Sequence, residues 1–476
     1  MLSFTSIEQY HAQLKENSIT CLQAVQHYLQ AIENNKHLNC FLEVFAEEAL
    51  QRASVLDALP PSQRGKLHGV VIGIKDLICY KDHKVSASSK ILENFTSLFS
   101  ATAVERLLAD GAIIIGRQNC DEFGMGSTNE NSAYGPVVNP VDEQRVPGGS
   151  SGGSAVAVKA GLCMASLGTD TGGSVRLPAD FCGTIGFKPS YGRVSRYGLI
   201  AYASSFDQVA ILANTIKDAA TILEVIAGPD EFDSTASRKQ VEEYASQPEE
   251  ANQKLRIAYF PEWIEHPSVD PEISTQIRTL LKKLQKDGYH VEPVSFQLTD
   301  YIVPTYYILT TAEASSNLGR FDGVRYGYQN KSNTSDLRKF YKQNRSEGFG
   351  KEVKRRIMLG SFVLSAGYYE AYFTKAQQVR RLLKQQTDFI FKDFDIILAP
   401  NSPTVAYKIG EKTKDPLAMY MGDIFTVFAN LTGIPAFSLP VFKHSSNLPF
   451  GVQAMAKQFN ELTLARFSQR LLPQLT

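Results

Sequence analysis

Between residues 69 and 116 the chain changes its apolar period twice, and this most constrains its fold. "GVVIGIKDLI" (69–78) is a short β-branched run that reads as a buried strand. "TAVERLLADG" (102–111) reads as a helix closed by Gly111, and "AIIIG" (112–116) as a second buried strand. Strand and helix in alternation predict an α/β fold. Other segments continue the theme. Thr20 and Gln23 form a capping box ahead of Leu22, Val25, Leu29 and Ile32 at helical spacing. "CMASLGTD" (163–170), "LRIAYF" (255–260) and "FDIILAP" (394–400) are strand candidates. Asp270 and Pro271 open a helix with Ile273, Ile277, Leu280, Leu281 and Leu284, ended by Gly288. Leu464, Phe467 and Leu471 mark a closing helix. The polar stretch 229–253 predicts a surface connection between two halves of a single domain, 1–476, and no internal repeat is found.

The 49 acidic and 49 basic residues cancel, which argues against this chain alone gripping nucleic acid or anionic membrane. The six cysteines form no C-x-x-C pair and read as reduced core thiols of a cytoplasmic protein. "MLSFTSIEQYHAQLKENS" has neither a signal-peptide core nor the look of a transit peptide, and no apolar run approaches the roughly 20 residues that span a bilayer. No H-E-x-x-H and no histidine pair at metal spacing is present, so no metal ligands are expected. His68 reads as a structural histidine.

Two glycine-rich stretches remain. "GGSSGGS" (148–154) lacks the polar flanks of a linker, the lysine of a Walker loop and the preceding strand of a dinucleotide fingerprint. "GTDTGGSVRLP" (168–178) repeats the glycine–serine theme, and Lys75 stands near the end of the first strand. Hydroxyls on bare loops together with a lysine make a serine–lysine acyl-transfer site possible, with glycines letting backbone N–H groups approach an oxyanion. The lysine must act uncharged. Bringing it to neutrality near pH 7 costs about 4 kcal/mol, which burial can impose.

Together "GIKD", "VPGGSSGGSAVAV" and "GTDTGGSVRLPADFCGTIGFKPSYGRVS" resemble the amidase signature family, three separated motifs in the family's order. The resemblance implies a central mixed sheet covered by helices on both faces and a Ser–cis-Ser–Lys catalytic unit. Ser174 falls at the nucleophile, Ser150 at the bridging serine after a cis peptide, and Lys75 at the base. The backbone N–H groups of Thr171, Gly172, Gly173 and Ser174 fall at the oxyanion donors. Ser151 and Ser154 are expected to hydrogen-bond the loop.

Within the family, "DEFGMGSTNENSAYGPVVNP", "YGRVSRYGLIAYASSFDQVA", "SEGFGKEVKRRIMLGSFVLSAGYYEAY" and "DPLAMYMGDIFT" look like the glutamine-hydrolysing subunits of tRNA-dependent amidotransferases. That likeness implies glutamine as substrate, with Arg356 on its α-carboxylate, Asp423 on its α-ammonium and Tyr306 nearby. It also implies two further subunits, of B and C type, in a heterotrimer. The partner would bind Glu-tRNA(Gln) and use ATP and Mg²⁺, so this chain would need no cofactor of its own. From the residues alone, "EVKRR" reads as a solvated charged face and Asp423 as a helix cap. After "GMGS" the chain has Thr128-Asn129 where the family loop is expected to have Ser-Thr, at the border of the pocket. A stand-alone amidase on another small amide shares the catalytic unit, and Arg356 and Asp423 favour glutamine over it. A non-catalytic scaffold would lack Lys75, Ser150 or Ser174, and all three are present.

Overall fold

The computed structural model describes residues 4–246, 254–331, 335–412 and 419–472. Eleven strands join in one mixed sheet: β1 (Phe41–Val44), β2 (Val71–Lys75), β3 (Ile113–Gln118), β4 (Ala165–Thr169), β5 (Ile185–Lys188), β6 (Val209–Ala213), β7 (Arg256–Tyr259), β8 (His290–Pro293), β9 (Ile396–Pro400), β10 (Ala436–Lys443) and β11 (Pro449–Ala456). Their order is β1-β3-β2-β4-β6-β5-β10-β11-β9-β7-β8, with helices packed against the sheet. The pairs β3/β2, β2/β4, β9/β7 and β7/β8 are parallel, and the centre from β4 to β9 is antiparallel.

The β2–β4 region follows from the sequence rules. β2 is buried along its whole length, as its unbroken apolar pattern requires of a strand covered on two faces. The predicted helix runs Thr102–Ala109, and Gly111 turns the chain at φ 92° into β3. The helix Gly152–Lys159 then leads to β4, which pairs in parallel with β2. Such crossovers are what parallel neighbours demand. They leave the carboxyl ends of β2 and β4 side by side, so that Lys75 and the loop after Thr169 meet.

The capping box at Thr20 and Gln23 is present with both hydrogen bonds, opening the helix Cys21–Asn34. Its buried face is Cys21, Ala24, Val25, Tyr28 and Ile32, so Leu22 and Leu29 lie at the rim. Asp270 caps the helix Pro271–Lys286, and the closing helix is Glu461–Leu471. Of the stretch 229–253, residues 247–253 lie outside the described residues; in the remainder Arg193 donates to the carbonyls of Lys239 and Gln240, and Tyr244 is buried. All six cysteines are free and buried. No helix among the described residues is long and apolar enough to cross a membrane.

Candidate active site

Lys75, the last residue of β2, has no exposed surface. Its Nζ donates to Ser150 Oγ at 2.7 Å, to Ser151 Oγ at 2.9 Å and to Thr169 Oγ1 at 2.9 Å. Three hydroxyls therefore surround the amine, and none of them is a counter-charge. Burial pushes Lys75 down to about 8, against the pull of Cys120 and of the carboxylates of Asp121, Asp170 and Asp207. An amine so placed is a base near neutral pH.

The loop 148–154 is fixed from behind. The Gly149–Ser150 peptide is cis. A Cβ on Gly149 would lie 2.1 Å from Asp121 Oδ2 and 2.6 Å from the Thr128 nitrogen, so only glycine fits. The Asp121 N–H donates to the Ser150 carbonyl at 3.2 Å, while its carboxylate accepts the N–H groups of Asn129 and Asn131. Ser151 Oγ donates to the Thr169 carbonyl and Ser154 Oγ to Gln118 Oε1, so both hold the loop. Ser151 also touches the lysine, which its neighbours in sequence do not reveal. The Thr128-Asn129 pair joins this support. Asn129 sits at φ 64°, a left-handed conformation that asparagine tolerates, and its Oδ1 accepts the Gly153 N–H at 3.1 Å.

Ser174 lies in the loop after β4. It is 9% exposed, whereas Lys75 and Ser150 are at 0%, so of the three it is the one a substrate can reach. Its carbonyl accepts the Ser151 N–H at 3.0 Å, which stitches the two glycine-rich loops together. Asp170 and Arg176 form a fully buried pair beneath the loop, through Nε at 3.1 Å and Nη2 at 3.0 Å. Burial would raise the Asp170 carboxyl, but the Arg176 guanidinium brings it down to about 2. Arg176 also bonds the Thr426 carbonyl, Gln453 and Asn430. One expected oxyanion donor is engaged elsewhere: the Gly173 N–H donates to Asp170 Oδ1 at 2.9 Å. Thr171, Gly172 and Ser174 keep backbone N–H groups that donate to no group among the described residues. The Thr171 hydroxyl is tied to Asp207 at 2.7 Å.

The expected substrate residues converge beside this loop. The helix Thr299–Asn317 carries Tyr306, whose hydroxyl lies so close to Gly172 that a Cβ there would come within 2.3 Å of it. The helix Lys351–Val363 packs on it and turns Arg356 inward, 3% exposed, while Arg355 faces outward. Arg356 Nε donates to Glu352 Oε1 at 2.9 Å and Nη1 to the Tyr202 hydroxyl at 2.7 Å. The rings of Tyr202, Tyr307 and Tyr420 surround the guanidinium at 5.4–5.6 Å. Burial opposes its charge, and Tyr202 and Glu352 more than offset that, so Arg356 stays cationic.

Asp423 Oδ2 accepts from Ser127 Oγ at 2.8 Å and from the Tyr307 hydroxyl at 3.0 Å. Burial lifts its carboxyl to about 6, while these two hydrogen bonds pull it down. Sequence reasoning names Tyr306 and misses Tyr307, whose hydroxyl meets the carboxylate and whose ring faces the guanidinium. The doublet "YY" contains the signal; helical register separates the two roles. Among the described residues no cluster of three or more His, Cys, Asp or Glu side chains is placed to hold a metal ion. His68 packs in the core beside Cys21, and its carbonyl accepts from His11 Nε2 at 3.0 Å.

Known proteins resemble the chain over nearly its full length. The Amidase family matches residues 23–465. The A subunit of glutamyl-tRNA(Gln) amidotransferase from Chlorobium luteolum is 49% identical over 475 residues, 98% of each chain. The crystal structure of the A subunit of the same name from Thermotoga maritima superimposes with a TM-score of 0.78 at 39% identity, covering 97% of this chain and 93% of that one. A peptide amidase from Stenotrophomonas maltophilia superimposes with a TM-score of 0.83 at 25% identity, covering 99% and 97%. The chain belongs to the amidase family, in its branch of glutamyl-tRNA(Gln) amidotransferase A subunits.

Proposed function

We propose that this chain hydrolyses glutamine by a Ser174–Ser150–Lys75 relay and supplies the ammonia for ATP-dependent conversion of Glu-tRNA(Gln) to Gln-tRNA(Gln). The observation that carries the chemistry is Lys75: a fully buried amine among hydroxyls, 2.7 Å from Ser150. Uncharged Lys75 takes the Ser150 proton as Ser150 takes that of Ser174. Ser174 Oγ attacks the side-chain amide carbon of glutamine. The oxyanion is met by the N–H groups of Thr171, Gly172 and Ser174. The proton returns through the relay to the leaving nitrogen, ammonia departs, and water cleaves the γ-glutamyl ester by the same path in reverse.

Glutamine is selected by its two charged ends. Arg356 takes the α-carboxylate and Asp423 the α-ammonium, with Tyr307 between them and Tyr306 against the nucleophile loop. An amide lacking either end forgoes the ion pair made at that end, which favours glutamine over other small amides. The half-reaction in this reading draws on side chains and backbone alone. ATP and Mg²⁺ belong to a partner that also holds the tRNA, and two partners, of B and C type, complete a heterotrimer in the cytoplasm. The test is ammonia release from glutamine by the chain isolated with its partners. Release that rises with ATP and Glu-tRNA(Gln) supports the proposal. Release indifferent to both, with a preference for other amides, overturns it in favour of a free-standing amidase.

A further inference from the structure

The helix that carries Arg356 begins at Gly350, whose lack of a side chain leaves it without a cap of its own. The cap comes instead from Glu122, distant in sequence. Its carboxylate, 3% exposed, accepts the Gly350 N–H through Oε2 at 2.8 Å and Oε1 at 3.1 Å. Carboxylates are favoured at helix N-termini by the unpaired N–H groups there. Ser89 Oγ donates to the same carboxylate. Next to Glu122 in sequence, the Asp121 N–H holds the Ser150 carbonyl. On its other side Phe123 packs on Phe349 and Phe321, with ring centroids 5.7 and 5.2 Å apart. Three consecutive residues therefore clamp the bridging-serine loop to the start of the Arg356 helix.

We infer that Glu122 is a positioning residue: by capping the helix at Gly350 it sets where Arg356 stands relative to Ser150, and so how well the site holds glutamine. This rests on the proposed reading of Arg356 as the group that grips the α-carboxylate. Any small shift of the helix start is carried by a rigid element to Arg356.

The contact can be broken from both sides. Glu122→Ala removes the cap. Gly350→Ala places a Cβ 2.3 Å from Glu122 Oε2 and pushes the carboxylate away. Glutamine kinetics are measured on the complete complex, alongside Glu122→Gln, Arg356→Ala and the double variant Glu122→Ala/Arg356→Ala. Each single break should raise KM about five- to tenfold with kcat nearly unchanged. Glu122→Gln, whose amide oxygen can still accept, should fall between. In the double variant KM should be that of Arg356→Ala alone, because the cap acts through the arginine. An unchanged KM in both single breaks, a fall in kcat as large as that in kcat/KM, or penalties that multiply in the double variant would overturn the inference. If Arg356→Ala itself leaves KM unchanged, the reading of Arg356 fails, a result separable from failure of the Glu122 cap.

Discussion

Lys75 and Arg356 are both buried basic residues, and their surroundings treat charge in opposite ways. Lys75 meets only neutral oxygens within hydrogen-bond reach, and burial drives it towards the free amine. Arg356 meets a carboxylate, a phenol and three aromatic faces, and it stays charged although it too is buried. Burial alone therefore does not decide charge; the nearest partners do. In the proposed roles a base must lose its proton and a carboxylate anchor must not, so the same pressure is offset at one residue and left to act at the other.

The comparison can be broken by exchanging the side chains' chemistry. The largest effect belongs to Ser174→Ala, which should lower kcat by about 10⁴-fold or more without moving the melting temperature, read by ammonia release and a thermal melt. Lys75→Arg should be almost as damaging, about 10³-fold in kcat, because a guanidinium cannot release its proton near neutral pH. Lys75→Met should match it, which would show that lost basicity rather than lost positive charge is the cause. The reverse exchange should be milder. Arg356→Lys should raise the glutamine KM about tenfold and Arg356→Ala about 100-fold, both with kcat changed far less, since a point charge replaces part of a planar fork. The smallest effect is set by pH. Asp423 must be ionised to hold an ammonium, and its carboxyl lies at about 6, so KM should climb as pH falls through that value. In Asp423→Asn KM should start about tenfold higher and lose that slope.

Legibility follows the same divide. The catalytic side lies in contiguous stretches whose composition betrays them: an apolar strand ending in lysine, and two loops of glycine and serine. β2 and the helix Thr102–Ala109 are plain for the same local reason. The binding side is assembled across helices. Glu352 and Arg356, four apart on one helix face, look like a solvated charge pair; only the rings from positions 202, 307 and 420 make that face interior. Tyr306 and Tyr307 differ by one helical step, which a single sequence does not resolve. The Gly173 N–H, expected at the oxyanion, is instead held by Asp170, a bond set by the buried Arg176. The antiparallel centre of the sheet is also hidden from the sequence. Strands such as "IGFK" of β5 are too short for a period to show, and their pairing to β10 joins residues far apart in the chain.

The central claim is that uncharged Lys75 drives the relay, and the pH dependence of kcat in glutamine hydrolysis tests it most directly. The neutral fraction of an amine grows as pH rises through its pKa. With Lys75 at about 8, kcat at saturating glutamine should rise from about pH 6 to about pH 9 and level off above. A kcat that is flat across that range, or that falls as pH rises, would contradict the account.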